Sequence, residues 1–168
     1  KDSNAWATAL YIMRTEAGAG QGYFIEFAFR TSAGVQNTIG RIENNGATNV
    51  NYTTFSDYRL KQDITPITDA ISRLKTLKPK KFRWKDDLEM GYQDGLIAHE
   101  VEETNDFKYL VSGKKDATRK KYDNPEEIEP DYQGIDYAKF TPILISALQE
   151  AVAKIETLET KVAALEAG

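Results

Sequence analysis

Residues 137–167 read YAKFTPILISALQEAVAKIETLETKVAALEA, and this stretch decides the architecture. Leu144, Leu148, Ala151, Ile155, Leu158, Val162 and Leu165 step by four and three residues, the repeat of a coiled-coil seam. Leu148, Ile155 and Val162 take the a positions, and Leu144, Ala151, Leu158 and Leu165 the d positions. Lys154 and Lys161 fall at g, with Glu159 and Glu166 at the following e positions, the spacing of interhelical ion pairs. The pattern predicts a helix from about Tyr137 to Ala167 that associates with copies of itself, with Pro142 tolerated in its opening turns. Periodicity alone leaves a second reading, an amphipathic helix packed on its own domain. Ile155 or Val162 at a with Leu158 or Leu165 at d leans toward two strands, whereas Leu148 at a and Ala151 at d weaken that preference.

Working back from this helix, residues 56–136 are charged and mixed in character. Thr65-Pro66 reads as a helix start, threonine as N-cap and proline at the first helical position. Ile67, Ala70, Ile71, Leu74 and Leu77 then form one apolar stripe, which Pro79 stops. Lys81-Phe82-Arg83-Trp84 alternates like a strand, and Gly95-Leu96-Ile97-Ala98 leads into a short acidic helix, His99 to Glu103. Ser112 to Asp131 is polar, holds Pro125 and Pro130, and is expected to be a loop or mobile insertion.

From Ala5 to about Thr54 the chain reads as strands and turns. Tyr23, Ile25, Phe27 and Phe29 alternate with Phe24, Glu26, Ala28 and Arg30, the period of a half-buried strand. Gly18, Gly20, Gly22, Gly34, Gly40 and Gly46 punctuate the region, and Asn44-Asn45-Gly46 is a tight-turn signal. Short polar strands of this kind bury little alone and suit a β fibre of several chains. The expected fold class is α+β: a short β-rich segment over residues 1–55, then a mixed domain over 56–168 closed by a long coiled-coil-like helix.

Composition narrows the chemistry. The 168 residues carry 40% hydrophobic and 29% charged residues with a net charge of −4, so no basic footprint for nucleic acid is present. No apolar run reaches the roughly 20 residues of a membrane helix, and no stretch reads as a signal peptide. With no cysteine and a single histidine, thiol catalysis, disulfides, Cys-based zinc sites and multi-histidine metal sites are excluded; no metal or cofactor is expected. A nucleophile has to come from Ser, Thr, Lys or a carboxylate.

The junction between the two regimes holds Thr54-Phe55-Ser56-Asp57-Tyr58-Arg59-Leu60-Lys61. Lysine can serve as general base to serine, but only uncharged, which calls for burial or a nearby cation. Arg59 could supply the cation and Tyr58 or Leu60 the desolvation, while Asp57 would oppose it. Positions five apart face opposite sides of a strand and stand roughly 140° apart on a helix. Ser56 and Lys61 therefore meet only across a bend, or between two subunits. As a bare spacing the pair is equally a solvent-facing turn with an N-cap serine.

Ser56-Asp57-Tyr58-Arg59-Leu60-Lys61, followed by Ile64 and by a helix ending Leu74-Lys75-Thr76-Leu77-Lys78-Pro79, resembles the intramolecular chaperone domain of phage tailspikes and tail fibres. Its type member is the endosialidase tailspike, and a related domain occurs in myelin regulatory factor. Phe82-Arg83-Trp84, the run Gly95-Leu96-Ile97-Ala98-His99-Glu100-Val101-Glu102 and Ile135-Asp136-Tyr137 match in order, with His99 where the family usually has glutamine. The resemblance runs from Ser56 to the C-terminus. It implies a homotrimer on the end of a fibre that helps the chains register and then removes itself by autoproteolysis. It further implies that Phe55–Ser56 is the scissile bond, Ser56 the nucleophile and Lys61 the base, with Asp57 and Arg59 in support. Residues 1–55 would then be the folding client and the end of the mature fibre in the virion. The chaperone fragment would be released in the host cytoplasm.

Two readings stand beside this one: a trimerisation module that does not cleave, and a receptor-binding fibre tip that meets a host-surface receptor. His99 reads as a capping or packing group before it reads as a catalyst. Glu100, Glu102 and Glu103 read as a solvated face rather than a glycosidase pair. Lys114-Lys115 and Arg119-Lys120-Lys121 read as a charged loop, with phosphate or nucleotide binding the minority option since no glycine-rich loop accompanies them.

Overall fold

The computed structural model describes residues 22–30, 34–44 and 49–167. The chain divides into two compact units, residues 1–64 and 65–168. Composition changes at Ser56, but residues 56–64 group with the first unit although they resemble the second region in sequence.

In the first unit, β1 (Gly22–Arg30), β2 (Gln36–Asn44) and β3 (Val50–Thr54) form an antiparallel meander in that order. The strand expected around Tyr23 to Arg30 is present, but its two-residue period is broken. Register shifts fall between Tyr23 and Ile25 and between Phe27 and Ala28, and an extra residue in one strand turns the residues beyond it to the other face. Phe24 and Ile25 are accordingly both half-buried, while Phe27 is exposed. The Asn44-Asn45-Gly46 turn runs out of the described residues after Asn44, and Gly18 and Gly20 lie outside them. At Gly40 a Cβ would stand 2.7 Å from the Thr53 carbonyl oxygen, so β2 takes a residue without a side chain where it passes β3.

The second unit contains α1 (Ala70–Leu74), β4 (Lys80–Phe82), β5 (Gln93–Gly95), α2 (Ala98–Glu102), β6 (Val111–Ser112), β7 (Thr118–Lys120), β8 (Ile128–Pro130), β9 (Gly134–Ile135) and α3 (Thr141–Glu166). Its strands pair two by two, β4 with β5, β6 with β9 and β7 with β8, all antiparallel. The core is small: Ala70, Val101, Phe107, Leu110, Phe140, Ile143 and Ala147, flanked by Ile71, Leu74, Leu77, Leu96, Val111 and Ile135. Phe107, fully buried, meets Phe140 at a ring separation of 5.5 Å. The glycine at the head of the Gly95 motif has a packing reason, since a Cβ there would sit 3.0 Å from the Phe82 ring and 3.2 Å from the Tyr137 hydroxyl. That hydroxyl accepts the Leu96 N–H at 3.0 Å, tying the Ile135-Asp136-Tyr137 run to the strand-to-helix motif.

Two expectations need correction. The first helix does not open at Thr65-Pro66: residues 65–69 are irregular, and the helix spans only Ala70–Leu74. Asp69 adopts a left-handed conformation, φ 55°, which cannot lie inside a right-handed helix. The open N–H groups of α1 are capped from far along the chain instead. The Glu150 carboxylate on α3 accepts the Ala70 N–H at 2.7 Å and the Ile71 N–H at 3.1 Å. These bonds hold its pKa below the ordinary glutamate value, Ala70 contributing most. The stripe residues Ile71, Leu74 and Leu77 do pack on the core, but Ile67 stays exposed.

The second correction concerns Ser112 to Asp131, which contains a hairpin rather than a structureless loop. Thr118, Arg119 and Lys120 pair with Pro130, Glu129 and Ile128. Arg119 bridges Glu129 at 2.8 Å, and Lys121 bridges Glu127. Opposite-charge cross-strand pairs stabilise this ribbon, so it carries no apolar alternation for a sequence reading to detect.

The terminal helix is close to expectation. A 3-10 turn, Tyr137–Phe140, precedes α3, and Pro142 sits in its first turn. Ile143 and Ala147 face the core and Glu150 reaches α1. The heptad residues occupy the adjacent face: Leu144, Leu148, Ile155, Leu158, Val162 and Leu165 are all at least half exposed, Leu165 at 81%. The alternative of a helix wholly packed on its own domain holds only for its first turns.

Candidate active site

The junction is built by a strand running out into a tight turn. One residue beyond β3, the Phe55 N–H still donates to the Ile39 carbonyl at 3.1 Å, so the ladder ends at Phe55. Asp57 is extended, with φ −63° and ψ 138°, and it caps a 3-10 turn at Tyr58–Leu60. Its carboxylate accepts the Arg59 N–H at 2.8 Å, a typical short-range competition of an Asp side chain for the backbone. The turn closes with Leu60 N–H on the Asp57 carbonyl and Lys61 N–H on the Tyr58 carbonyl, both 3.1 Å.

This turn is the bend that the five-residue spacing requires. Lys61 Nζ donates to Ser56 Oγ at 2.5 Å within one chain. The alternative of a pair shared between two subunits is not needed to bring them together.

The supporting charges arrange themselves differently from the sequence expectation. Arg59 forks onto Asp57, Nε to Oδ1 at 2.9 Å and Nη2 to Oδ2 at 2.8 Å. The Arg59 guanidinium first, and its backbone N–H second, hold the Asp57 carboxyl below the usual carboxylate range. Asp57 in turn raises Arg59. Each charge is thus matched by the other, so Arg59 is engaged by Asp57 rather than presented as an unpaired cation toward Lys61. Tyr58 and Leu60, expected to desolvate the lysine, are exposed in the single chain, as are Ser56 and Lys61.

One feature had no signal in the Ser–Lys motif. On β2, Arg41 carries its guanidinium carbon 5.2 Å from the Phe55 ring centroid, and its Nε lies 2.8 Å from Glu43 Oε2. Glu43, only 6% exposed, accepts the Thr53 hydroxyl on its other oxygen at 3.0 Å. Two-residue alternation could have put Arg41 and Glu43 on one face, but not beside Phe55, because strand pairing is not written in local spacing.

Elsewhere, His99 is half-buried on α2 in the second unit, beside Lys114 and Lys115 in a shallow groove. Glu100 pairs with Lys80 at 3.5 Å and Glu102 accepts from Gln133 at 2.7 Å, so neither forms a facing carboxylate pair. Among the described residues no group of acidic or histidine side chains could hold a metal ion, and no helix is long and apolar enough to cross a membrane.

Comparison with known proteins bears on the same segment. No curated protein matches the chain. The family model described as the chaperone of endosialidase matches residues 56–121, from Ser56 through the first strand of the β7–β8 hairpin. The match is consistent with a phage tailspike or tail-fibre chaperone domain. Over residues 56–121 the chain is therefore similar to the chaperone-of-endosialidase family.

Proposed function

We propose that residues 56–168 form a trimeric folding chaperone for the β segment before them, and that it releases itself by cutting the Phe55–Ser56 bond. The observation that carries this reading is the Lys61–Ser56 contact at 2.5 Å, placed immediately after the last ladder residue. The family match beginning at Ser56 supports it.

The chemistry is a single-turnover acyl transfer. Ser56 Oγ attacks the Phe55 carbonyl carbon through a ring of that carbon, the Ser56 nitrogen, Cα, Cβ and Oγ, and Lys61 is the base that takes the hydroxyl proton, a step that requires its neutral amine. The C–N bond breaks, and the Ser56 nitrogen leaves as an amine after receiving that proton from the Lys61 ammonium. Water then hydrolyses the ester between the Phe55 acyl group and Ser56 Oγ, giving a carboxylate at Phe55 and a chain that begins at Ser56. Lys61 reaches Ser56 within one chain, so base and nucleophile come together without a partner. Arg59 and Asp57 act by holding the turn that aims Lys61.

The trimer rests on α3. Ile145 and Val152, at e positions beside the a and d seam, are also exposed. Over the first half of the helix, before Glu159 and Glu166 take the e positions, this stripe of a, d and e residues is wider than the a/d seam of a two-stranded coil. Three helices cover such a stripe more fully than two. The mature β segment would remain in the virion and the released domain in the host cytoplasm.

N-terminal sequencing of the C-terminal fragment from freshly expressed protein tests the proposal. Serine, aspartate and tyrosine in the first cycles are expected. A chain that assembles yet stays whole would favour the other reading, a trimerisation module or receptor-binding fibre end without cleavage; exposure of both side chains in a single chain is the observation on its side.

A further inference from the structure

Glu43 is a buried carboxylate in a small polar sheet, and burying such a group carries a desolvation cost unless it is paired and hydrogen-bonded. Its two partners show what the arrangement holds in place. Thr53 and Phe55 alternate on one face of the strand that leads into the junction, and Glu43, Arg41 and Ile39 alternate along β2 across from them. Glu43 accepts the Thr53 hydroxyl on Oε1, and its Oε2 lies 2.8 Å from Arg41 Nε as an ion pair without hydrogen-bond alignment. Arg41, steadied in this way, lies against the Phe55 ring at 5.2 Å, within the range of a cation–π contact. The Phe55 backbone is fixed on the same strand by its N–H bond to Ile39. The residue whose carbonyl would be attacked is therefore held at both its ring and its amide, immediately before the chain leaves the sheet.

We propose that Phe55 is the specificity-determining residue on the acyl side of the scissile bond and that Arg41, braced by Glu43, is its positioning residue. This rests on the cleavage reading above. Fixing the amide and ring of Phe55 restricts where its carbonyl carbon can lie relative to Ser56 Oγ, which is the requirement of a near-attack geometry. A flexible aliphatic side chain would present the same peptide bond without a face for the guanidinium. Arg41 touches no reacting atom; it works through the ring.

The test measures the first-order rate at which the Ser56-initiated fragment appears from the full chain, with light-scattering mass and melting midpoint recorded for every variant. Phe55→Leu, which leaves the Arg41–Glu43 pair intact, should slow release about tenfold, between the small worth of an exposed cation–π contact and the hundredfold effect of a displaced reacting centre. Phe55→Tyr should keep the wild-type rate. The double variant Arg41→Met/Glu43→Gln, which removes the cation without leaving a buried carboxylate unpaired, should slow release about tenfold when Phe55 is present. In combination with Phe55→Leu it should add less than about twofold, because the two act through one contact. Wild-type release from Phe55→Leu, or equal slowing by the Arg41/Glu43 change in both backgrounds, would overturn the inference and leave the cleavage reading standing. A wild-type chain that never yields the Ser56 fragment sinks both.

Discussion

The double substitution Ile155→Asp/Leu158→Asp is expected to dissolve the assembly and leave the second unit folded. Leu144, Leu148, Ile155, Leu158, Val162 and Leu165 each keep half or more of their surface in water in the single chain. Covering one of them recovers roughly half of the 1.5–3 kcal/mol that full burial contributes, or about 1 kcal/mol each. Over the whole seam that is about 6 kcal/mol per chain, set against an association cost of roughly 4–15 kcal/mol shared across the assembly. Two aspartates at adjacent a and d layers remove about 2 kcal/mol of that gain per chain. They also place like charges from every copy around the axis, where burial is disfavoured by several kcal/mol. The core lies on another face of α3, where Ile143 is 2% exposed, and should not register the change. Light scattering coupled to gel filtration should show a trimer for the wild type and a monomer for the variant, with the same helical melting signal from Phe107, Leu110 and Ile143 packing. A variant with the wild-type mass, or a wild type that is itself monomeric, would refute the reasoning.

Further expectations concern the junction and the cap on α1. Lys61→Met should slow appearance of the Ser56 fragment by about 10²–10⁴, the contribution of a positioned general base; Asp57→Ala, which loosens the turn but leaves Lys61, should slow it by about tenfold. Quantified fragment time courses on gels check both, and equal rates for Lys61→Met and wild type would exclude the lysine. Glu150 has a folded pKa below its ordinary value of 4.5, so its contribution to stability is complete above that value and is lost as pH falls through the lowered folded pKa. Denaturant melts of Glu150→Gln should therefore show lower stability than wild type at neutral pH and a shallower decline with acid below the ordinary glutamate range. Parallel pH curves for the two proteins would contradict the cap.

Elements defined by a repeat were legible in the sequence. The heptad of Leu144 to Leu165 marks a face that the structure indeed leaves uncovered, and the short helix after Gly95-Leu96-Ile97 is present, although Gly95 ends its strand rather than leading it. What failed was local grammar overridden from a distance. Thr65-Pro66 looks like a helix start, yet the capping oxygen comes from Glu150 on α3. The β7–β8 hairpin is invisible because ion pairs such as Arg119–Glu129, not alternating apolar residues, hold it. At the site, the spacing of Ser56 and Lys61 announced the need for a bend but not its maker, which is Asp57 folding back on the Arg59 amide. Arg41 and Glu43 could not be found at all from the motif, since only the pairing of β2 with β3 brings them to Phe55.

The central claim, that Ser56 Oγ opens the peptide bond before it, is tested most directly by intact-mass spectrometry of wild type and Ser56→Ala prepared in parallel. The account expects the wild type to resolve into two masses divided between Phe55 and Ser56, and the alanine variant to remain whole at an unchanged oligomeric mass. Division of the alanine variant at the same bond and pace would contradict it.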